Sequence, residues 1–387
     1  MTRTTNTKFE AKPCKVKKFI ATFAKNKDEM NVEREIAGFA LPFAAGVMAA
    51  AIPKALSETL LHLSACISFS VSATILLFLM LSKRQSFVLI AAVALSCGTL
   101  TGVTYRITDI GQICIIPEWV TSLSQNLTSH IMSIEFKDSQ TNSIITALLT
   151  GDRDGLSRET ITAFRSSGAA HVLALSGFHL GLIYAMFSRI LSFMGNGIYS
   201  KILRSILIIT TCGIYTAATG AGPSISRAYL FILIGEIASL TRRYRSTSSI
   251  LMLSLMIHLL ISPGASQSIG FQLSYAAMTG IAYLFPWLKG LWPDNERGPL
   301  RWIWNSASMS IACQITTGPL VYMYFGTFAR HFLLTNLLTL PLASIIIPLS
   351  LISICLDMGG ICPAFMLTIT EKLIEWMRTC LSIISSI

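Results

Sequence analysis

Long apolar runs, broken by short cationic turns, begin near residue 36 and continue to the end of the chain. Each run approaches the ~20 residues that a helix needs to cross a hydrocarbon core. The pattern predicts spans over 36–53, 60–82, 87–106, 169–194, 203–220, 226–241, 249–263, 270–288, 302–324, 332–356 and 361–386. The runs are continuous and do not alternate at every second position, so the strands of a membrane barrel do not fit. The expected fold class is all-α, a polytopic helical membrane protein with about 10–11 transmembrane helices. Glu371, Lys372, Glu375 and Arg378 interrupt the last run, which is expected to lie partly in the interface.

The cations orient this array. Arg3, Lys8, Lys12, Lys15, Lys17, Lys18, Lys25, Lys27 and Arg34 hold the N-terminal tail in the cytoplasm. Counting forward from there, Lys83-Arg84, Lys201 to Arg204, Arg242-Arg243-Arg245 and Lys289 to Arg301 all fall on the same side. The expected organisation is a basic cytoplasmic tail (1–35), a three-span region (36–106), an extracytoplasmic helical loop (107–168) and a membrane channel domain (169–387). Within the loop, Val120, Leu123, Leu127, Ile131 and Ile134 share one helical face, expected to rest on the outer membrane surface. A second helix is expected near 142–150, and a third, capped by Ser157, stopping near Gly168.

Composition narrows the class further. The chain is 52% hydrophobic and 13% charged, with a mean hydropathy of +0.62. A soluble domain with that much apolar surface would aggregate. The nine cysteines form no CxxC pair, which argues against a zinc site or a disulfide framework. No cofactor is expected. The net charge of +11 matters mainly through where the cations sit.

Polar and ionisable groups inside spans are costly and need a partner, a cavity or a task. Four sets stand out. GAAHVLALSGFHLGLIY, from Gly168, carries His171, Ser176, Gly177 and His179. On one ideal helix His179 lies about 80° and Ser176 about 140° around from His171, giving a polar arc. GAGPSISRAYL places Ser224 and Arg227 in the first turn of a span, where a guanidinium and a helix N-terminus both favour an anion. Glu236 lies about 180° around from Arg227 on the same helix, so it needs a partner elsewhere. GFQLSYAAMTG carries Phe271, Gln272 and Ser274, and TNLLTLPL carries Asn336 and Pro341, where a kink or an unwound turn is expected. For each set, interhelical packing is the competing explanation.

Taken together, ALLTGDRDGLSRETITAFRSSGAAHVLALSGFHLGLIY, GAGPSISRAYLFI, SPGASQSIGFQLSYAAMTGI and TNLLTLPL resemble the ComEC family of bacterial competence proteins. The resemblance covers roughly 140 to 360. It places Gly151, Asp152, Arg153, His171, Ser176, Gly177, His179, Pro223, Arg227, Gly270, Phe271, Gln272 and Ser274 at the family's motif positions. It implies an inner-membrane channel that takes up single-stranded DNA during natural transformation. Fuller members carry an OB-like domain and a metallo-β-lactamase-like domain. The 107–168 loop is too short for the first, and no HxHxDH cluster marks the second. The resemblance therefore implies either a separate nuclease or a partial, diverged relative, and it implies a periplasmic DNA receptor and, since no P-loop is present, an energised cytoplasmic translocase as partners. An oligomer is compatible with it.

A DNA strand needs a closed path with polar and cationic lining. Arg153, Arg158 and Arg165 suit an outer basic mouth, and Arg227 suits a phosphate contact. His171, Ser176, His179, Ser224, Gln272, Ser274 and Asn336 suit neutral hydrogen bonds deeper in, with Phe178, Tyr184, Phe271 and Tyr275 offering ring faces. Two other functions stay open. One is an intramembrane serine hydrolase built on Ser176 with His171, His179 or His258, although Ala174 breaks the GxSxG pattern. The other is a proton-coupled transporter for a small anion or a lipid-linked substrate, using Arg227 and Glu236.

Overall fold

A computed structural model of the protein describes residues 35–50, 87–108, 118–134, 136, 138–195, 197–241, 246–292, 298–326, 328 and 331–385. The predicted span 60–82, the basic tail, and the turns at Lys83-Arg84 and Arg242-Arg243-Arg245 lie outside the described residues. Among the described residues every regular element is helical. They run α1 (Glu35–Ala50), α2 (Phe87–Thr108), α3 (Glu118–Ser133), α4 (Ser139–Thr150), α5 (Arg158–Ser166), α6 (Ala170–Leu173) and α7 (Gly177–Ile190). Then come α8 (Ile198–Ala218), α9 (Pro223–Leu240), α10 (Thr247–Ile261), α11 (Ile269–Thr279) and α12 (Phe285–Lys289). The last three are α13 (Pro299–Phe325), α14 (Phe332–Met358) and α15 (Ala364–Ser385).

Four helical stretches are long and apolar enough to cross a membrane: Gly177–Met194, Ile198–Ala218, Pro223–Leu240 and Phe332–Met358. Glu35–Ala50, Ile90–Tyr105 and Thr247–Ile261 are apolar but shorter. The architecture is that of an all-α polytopic membrane protein. Helices in lipid gain little from burying apolar surface, so small residues must bring backbones into direct contact. GTLTG, from Gly98 to Gly102, does this for α1 and α2. A Cβ at Gly98 would lie 2.0 Å from the Phe43 carbonyl oxygen, and one at Gly46 would lie 2.2 Å from that of Leu95.

Three apolar cores follow. The first joins Ile131, Ile144, Leu148, Phe164 and Val172 to Ile346 on α14 and Ile374, Met377 and Leu381 on α15. The second joins Phe43 and Ala94 to Leu251, Leu259, Phe271 and Tyr275. The third holds Leu180 of α7, Ile208 and Cys212 of α8, and Ile225 and Ala228 of α9.

The segment predicted as a surface loop is built into the first core. Of the five-residue stripe on α3, Val120, Ile131 and Ile134 are buried, Leu127 packs against the core, and Leu123 is 46% exposed. The stripe closes on protein because α4 offers it an apolar partner. Residues 141–149 of α4 are all buried. Their polar members need internal partners, and Asn142 Nδ2 donates to the carbonyls of Ile131 and Ile134, both at 2.8 Å. Ser157 caps α5 as expected, accepting the Thr160 N–H at 3.1 Å, and Gly168 follows the helix end at φ 87°.

Three predicted elements change shape. The run 169–194 is two helices, α6 and α7, parted at Ala174–Ser176. The run 270–288 carries a π turn over Gly280–Leu284, where the Phe285 N–H reaches the Gly280 carbonyl just ahead of Pro286. Gly280 also lets α13 come close, since a Cβ there would lie 2.5 Å from the Ala312 carbonyl oxygen. The unwound turn expected at Pro341 is absent. α14 runs unbroken through Pro341 and Pro348, with Thr339 donating to the Thr335 carbonyl and Ser344 to that of Pro341. α15 is also continuous. Its buried residues Thr370, Ile374, Met377, Leu381 and Ile384 fall at helical spacing. The charges that seemed to interrupt it lie off that stripe: Arg378 pairs with Asp138, and Glu371 accepts the Asp138 N–H at 3.1 Å.

α14 is tied near both ends to the 118–168 segment. Thr335 donates to the Ser167 carbonyl at 2.6 Å, and His130 Nε2 lies 3.2 Å from Asp357 Oδ2. Those contacts are 22 residues apart on α14, roughly 33 Å of helix rise.

Replacing Asn142 by Leu leaves two buried carbonyls without donors and should cost about 1–3 kcal/mol. Leu123→Ser, at an exposed position, should stay within about 0.5 kcal/mol. Thermal unfolding of the purified variants in detergent measures both. Equal losses would contradict the packing described for α3 and α4.

Candidate functional site

The polar residues singled out from sequence gather where three helices begin. α7 starts at Gly177, α9 at Pro223 and α11 at Ile269, and α9 packs against both others.

The break before α7 has a local cause. Serine favours a helix N-cap over a helix interior because its hydroxyl can take an orphan backbone N–H. Ser176 adopts extended backbone, and its Oγ accepts the Phe178 N–H at 3.3 Å. His179 completes a capping box by accepting the Ser176 N–H on Nδ1 at 3.3 Å. Histidine here does the work usually given to Glu or Gln. His179 is buried, and Ser176 Oγ lies 3.1 Å from its Nδ1. The polar arc drawn on one continuous helix therefore does not exist. His171, on α6, is exposed, and its Nδ1 donates to the Gly168 carbonyl at 3.1 Å.

α9 begins after a strained turn. Gly220 has φ 81°, and Ala221 has φ 48°, unusual for a residue with a Cβ. Ser226 Oγ ties the turn by donating to the Ala221 carbonyl at 2.8 Å. Pro223 stands at the first position of the helix, where its missing N–H costs nothing. Arg227 follows one turn later and is 7% exposed. Its guanidinium lies over the first residue of α7, since a Cβ on Gly177 would sit 2.7 Å from Arg227 Nη2. Arg227 Nε has no hydrogen-bond partner. Among the described residues no carboxylate forms an ion pair with Arg227.

Beside it, Ser224 Oγ lies 3.1 Å from Ser274 Oγ on α11. The neighbouring rings face one another. Phe271 and Tyr275 are buried with centroids 4.6 Å apart. His258 meets Phe271 edge-on at 5.0 Å, and the Tyr275 hydroxyl lies 3.5 Å from His258 Nδ1. Phe271 and Tyr275 thus present no free ring faces in this structure. Tyr184 is half-buried, and its hydroxyl donates to Glu236.

The remaining predicted residues lie apart from this junction. Gln272 donates to the Ser266 carbonyl at 3.0 Å and accepts from the Tyr324 hydroxyl at 2.6 Å. Asn336 is half-buried on α14, with an unpartnered Oδ1. Glu236 is 7% exposed and accepts from Tyr184 at 2.9 Å and from Ser205 at 2.5 Å. Sequence foretold its need for partners on other helices but not which hydroxyls supply them. Arg153, Arg158 and Arg165 are all exposed. Arg158 also lines a cleft of about 1080 Å³ between α5 and α15, shared with Asp138, Glu159, Glu371 and Glu375. These acids offset it, so the cleft is not a purely basic funnel.

The family model for competence proteins matches residues 148–387, and the chain belongs to that family. It is 31% identical to ComE operon protein 3 of Bacillus subtilis (strain 168) over 245 residues, 61% of this chain and 29% of that protein. It is 24% identical to uncharacterized protein YcaI of Escherichia coli (strain K12) over 226 residues, 57% of this chain and 30% of that protein. The chain thus matches under a third of the length of either relative. No solved structure matches it.

The Ser176–His179 contact has the geometry of a helix cap. The Nδ1 lone pair that a general base needs is shared with the Ser176 backbone N–H. Ser176→Ala should therefore cost about 1 kcal/mol of stability, and Ser176→Asn should restore it, since asparagine is as good a cap. Unfolding in detergent measures the pair. A Ser176→Asn protein that is stable yet inactive would instead favour a chemical role for the hydroxyl.

Proposed function

We propose that this chain forms the membrane conduit through which single-stranded DNA enters the bacterial cytoplasm during natural transformation. The observation that carries this is the extent of the family match. Residues 148–387 include every polar group found inside the apolar helices from α7 onward. The geometry is compatible with transit. Short polar side chains and one buried cation meet at helix ends, and among the described residues no carboxylate pairs with that cation. Neutral and sparse cationic lining lets a polyanion pass without being trapped.

In this proposal the protein sits in the inner membrane with its N-terminus in the cytoplasm. Arg153 and Arg165 lie at the outer entry. A periplasmic receptor delivers the DNA, a separate nuclease removes the complementary strand, and an energised cytoplasmic translocase draws the strand in. Cross-linking in the membrane distinguishes a channel formed by one copy from one assembled from several.

Deleting the gene in its native host should reduce transformation frequency to background while cells still bind DNA at their surface, and a plasmid-borne copy should restore it. Normal transformation in a deletion strain that lacks a second family member would refute the proposal.

A further inference from the structure

Arg227 presents an electrostatic problem that the rest of the protein does not solve. An arginine stays charged in any protein environment, and burying a charge without a counter-charge is among the costliest acts in a fold. This one is 7% exposed, its Nε is unpartnered, and no acid pairs with it among the described residues. Glu236, the acid on its own helix, lies nine residues away, roughly 13 Å of rise. It is already taken by Tyr184 and Ser205.

The surroundings make matters worse for a bare cation. The guanidinium rests against the first residue of α7, a helix of 14 residues, and belongs to the first turns of α9, a helix of 18. Both helix N-termini carry partial positive charge. Among the described residues, Tyr275 and His258 are within electrostatic reach of Arg227, and neither brings a fixed negative charge. A cation, two helix N-termini and a serine pair therefore converge with no paired acid among the described residues. Ser176, Gly177, Gly222 and Ser224 around it are only half-buried, so small groups can approach.

We propose that Arg227, with the first turns of α7 and α9, forms a phosphate-binding site that engages the sugar–phosphate backbone of the strand. Gly177 is part of it, because only a residue without a side chain lets the guanidinium lie against the α7 terminus. The site reads charge and not base identity. Naming the ligand as a DNA phosphodiester rests on the conduit function proposed above, whereas the anion site itself rests on the geometry alone.

The test uses the full chain purified in detergent and a fluorescent 15-nucleotide oligothymidylate, with binding followed by anisotropy at several salt concentrations. Arg227→Gln should weaken binding by about tenfold or more and lower the salt slope by about one. Arg227→Lys should fall between it and wild type. Gly177→Ala should weaken binding with the charge intact. On the wild-type protein, an abasic oligonucleotide should bind as well as the parent, and one with neutral methylphosphonate linkages should not. Thermal melting of each variant guards against loss of fold.

If Arg227→Gln binds the oligonucleotide with unchanged affinity and salt slope, the phosphate site is wrong while the conduit function survives. If wild type ignores the oligonucleotide but pyrophosphate raises its melting temperature only when Arg227 is present, the anion site stands and the DNA ligand falls. If short-chain phosphatidylglycerol displaces the oligonucleotide from wild type and raises the melting temperature only when Arg227 is present, the site belongs to a lipid headgroup and the DNA assignment is overturned.

Discussion

A helix that ends inside a membrane protein must find partners for its unpaired backbone groups within the protein, because lipid supplies none. The junction of α7, α9 and α11 is governed by that demand. Ser176 and His179 close the start of α7, Pro223 removes a donor at the start of α9, and Ser268 caps α11 by accepting the Phe271 N–H at 3.2 Å. Once the ends are closed in this way, the starts of α7 and α9 meet at Arg227, with the second turn of α11 beside them at Ser274. Short polar side chains then collect there without a loop entering the apolar layer.

The same demand explains the packing around α4. Thr141, Asn142, Ser143 and Thr146 are buried in a helix surrounded on all sides. Asn142 takes two carbonyls at the end of α3 and so ties α3 to α4. The apolar stripe of α3 completes the seal. Distant helices are drawn in too, since Tyr215 of α8 donates to the Leu149 carbonyl at 2.6 Å.

Much of this was legible in the sequence, and the exceptions have physical reasons. Periodic apolar runs and their caps are local signals, so the helical class, the Ser157 cap and the end near Gly168 could be read directly. Gly177 marked a place where the helix could break, but the cap that makes the break was hidden because the capping box carries histidine at its third position. Without Glu or Gln there, SGFH looks like the interior of a span. Glu236 announced that it needed a partner, but Ser205 and Tyr184 stand 31 and 52 residues away in sequence, and no pattern encodes such a meeting. The α3 stripe was read correctly as apolar. Periodicity says which face is hidden, not whether lipid or protein hides it. Pro341 misled for a similar reason. A proline removes one backbone hydrogen bond, and whether the helix then opens depends on the packing around it. Ala343, Ile346 and Ile347 are fully enclosed, and α14 continues through Pro341 without an unwound turn.

At 27 residues, α14 is roughly 40 Å long, more than a ~30 Å hydrocarbon layer needs. A free helix of that length would relieve the mismatch by leaning. Here Thr335 donates to the Ser167 carbonyl, and Asp357, 22 residues on, lies 3.2 Å from His130 Nε2, so α14 meets the 118–168 segment near both ends. Contacts at both ends couple any lean of α14 to the helices of the 118–168 segment, so thinner or thicker lipid around the molecule acts on α14 and that segment together.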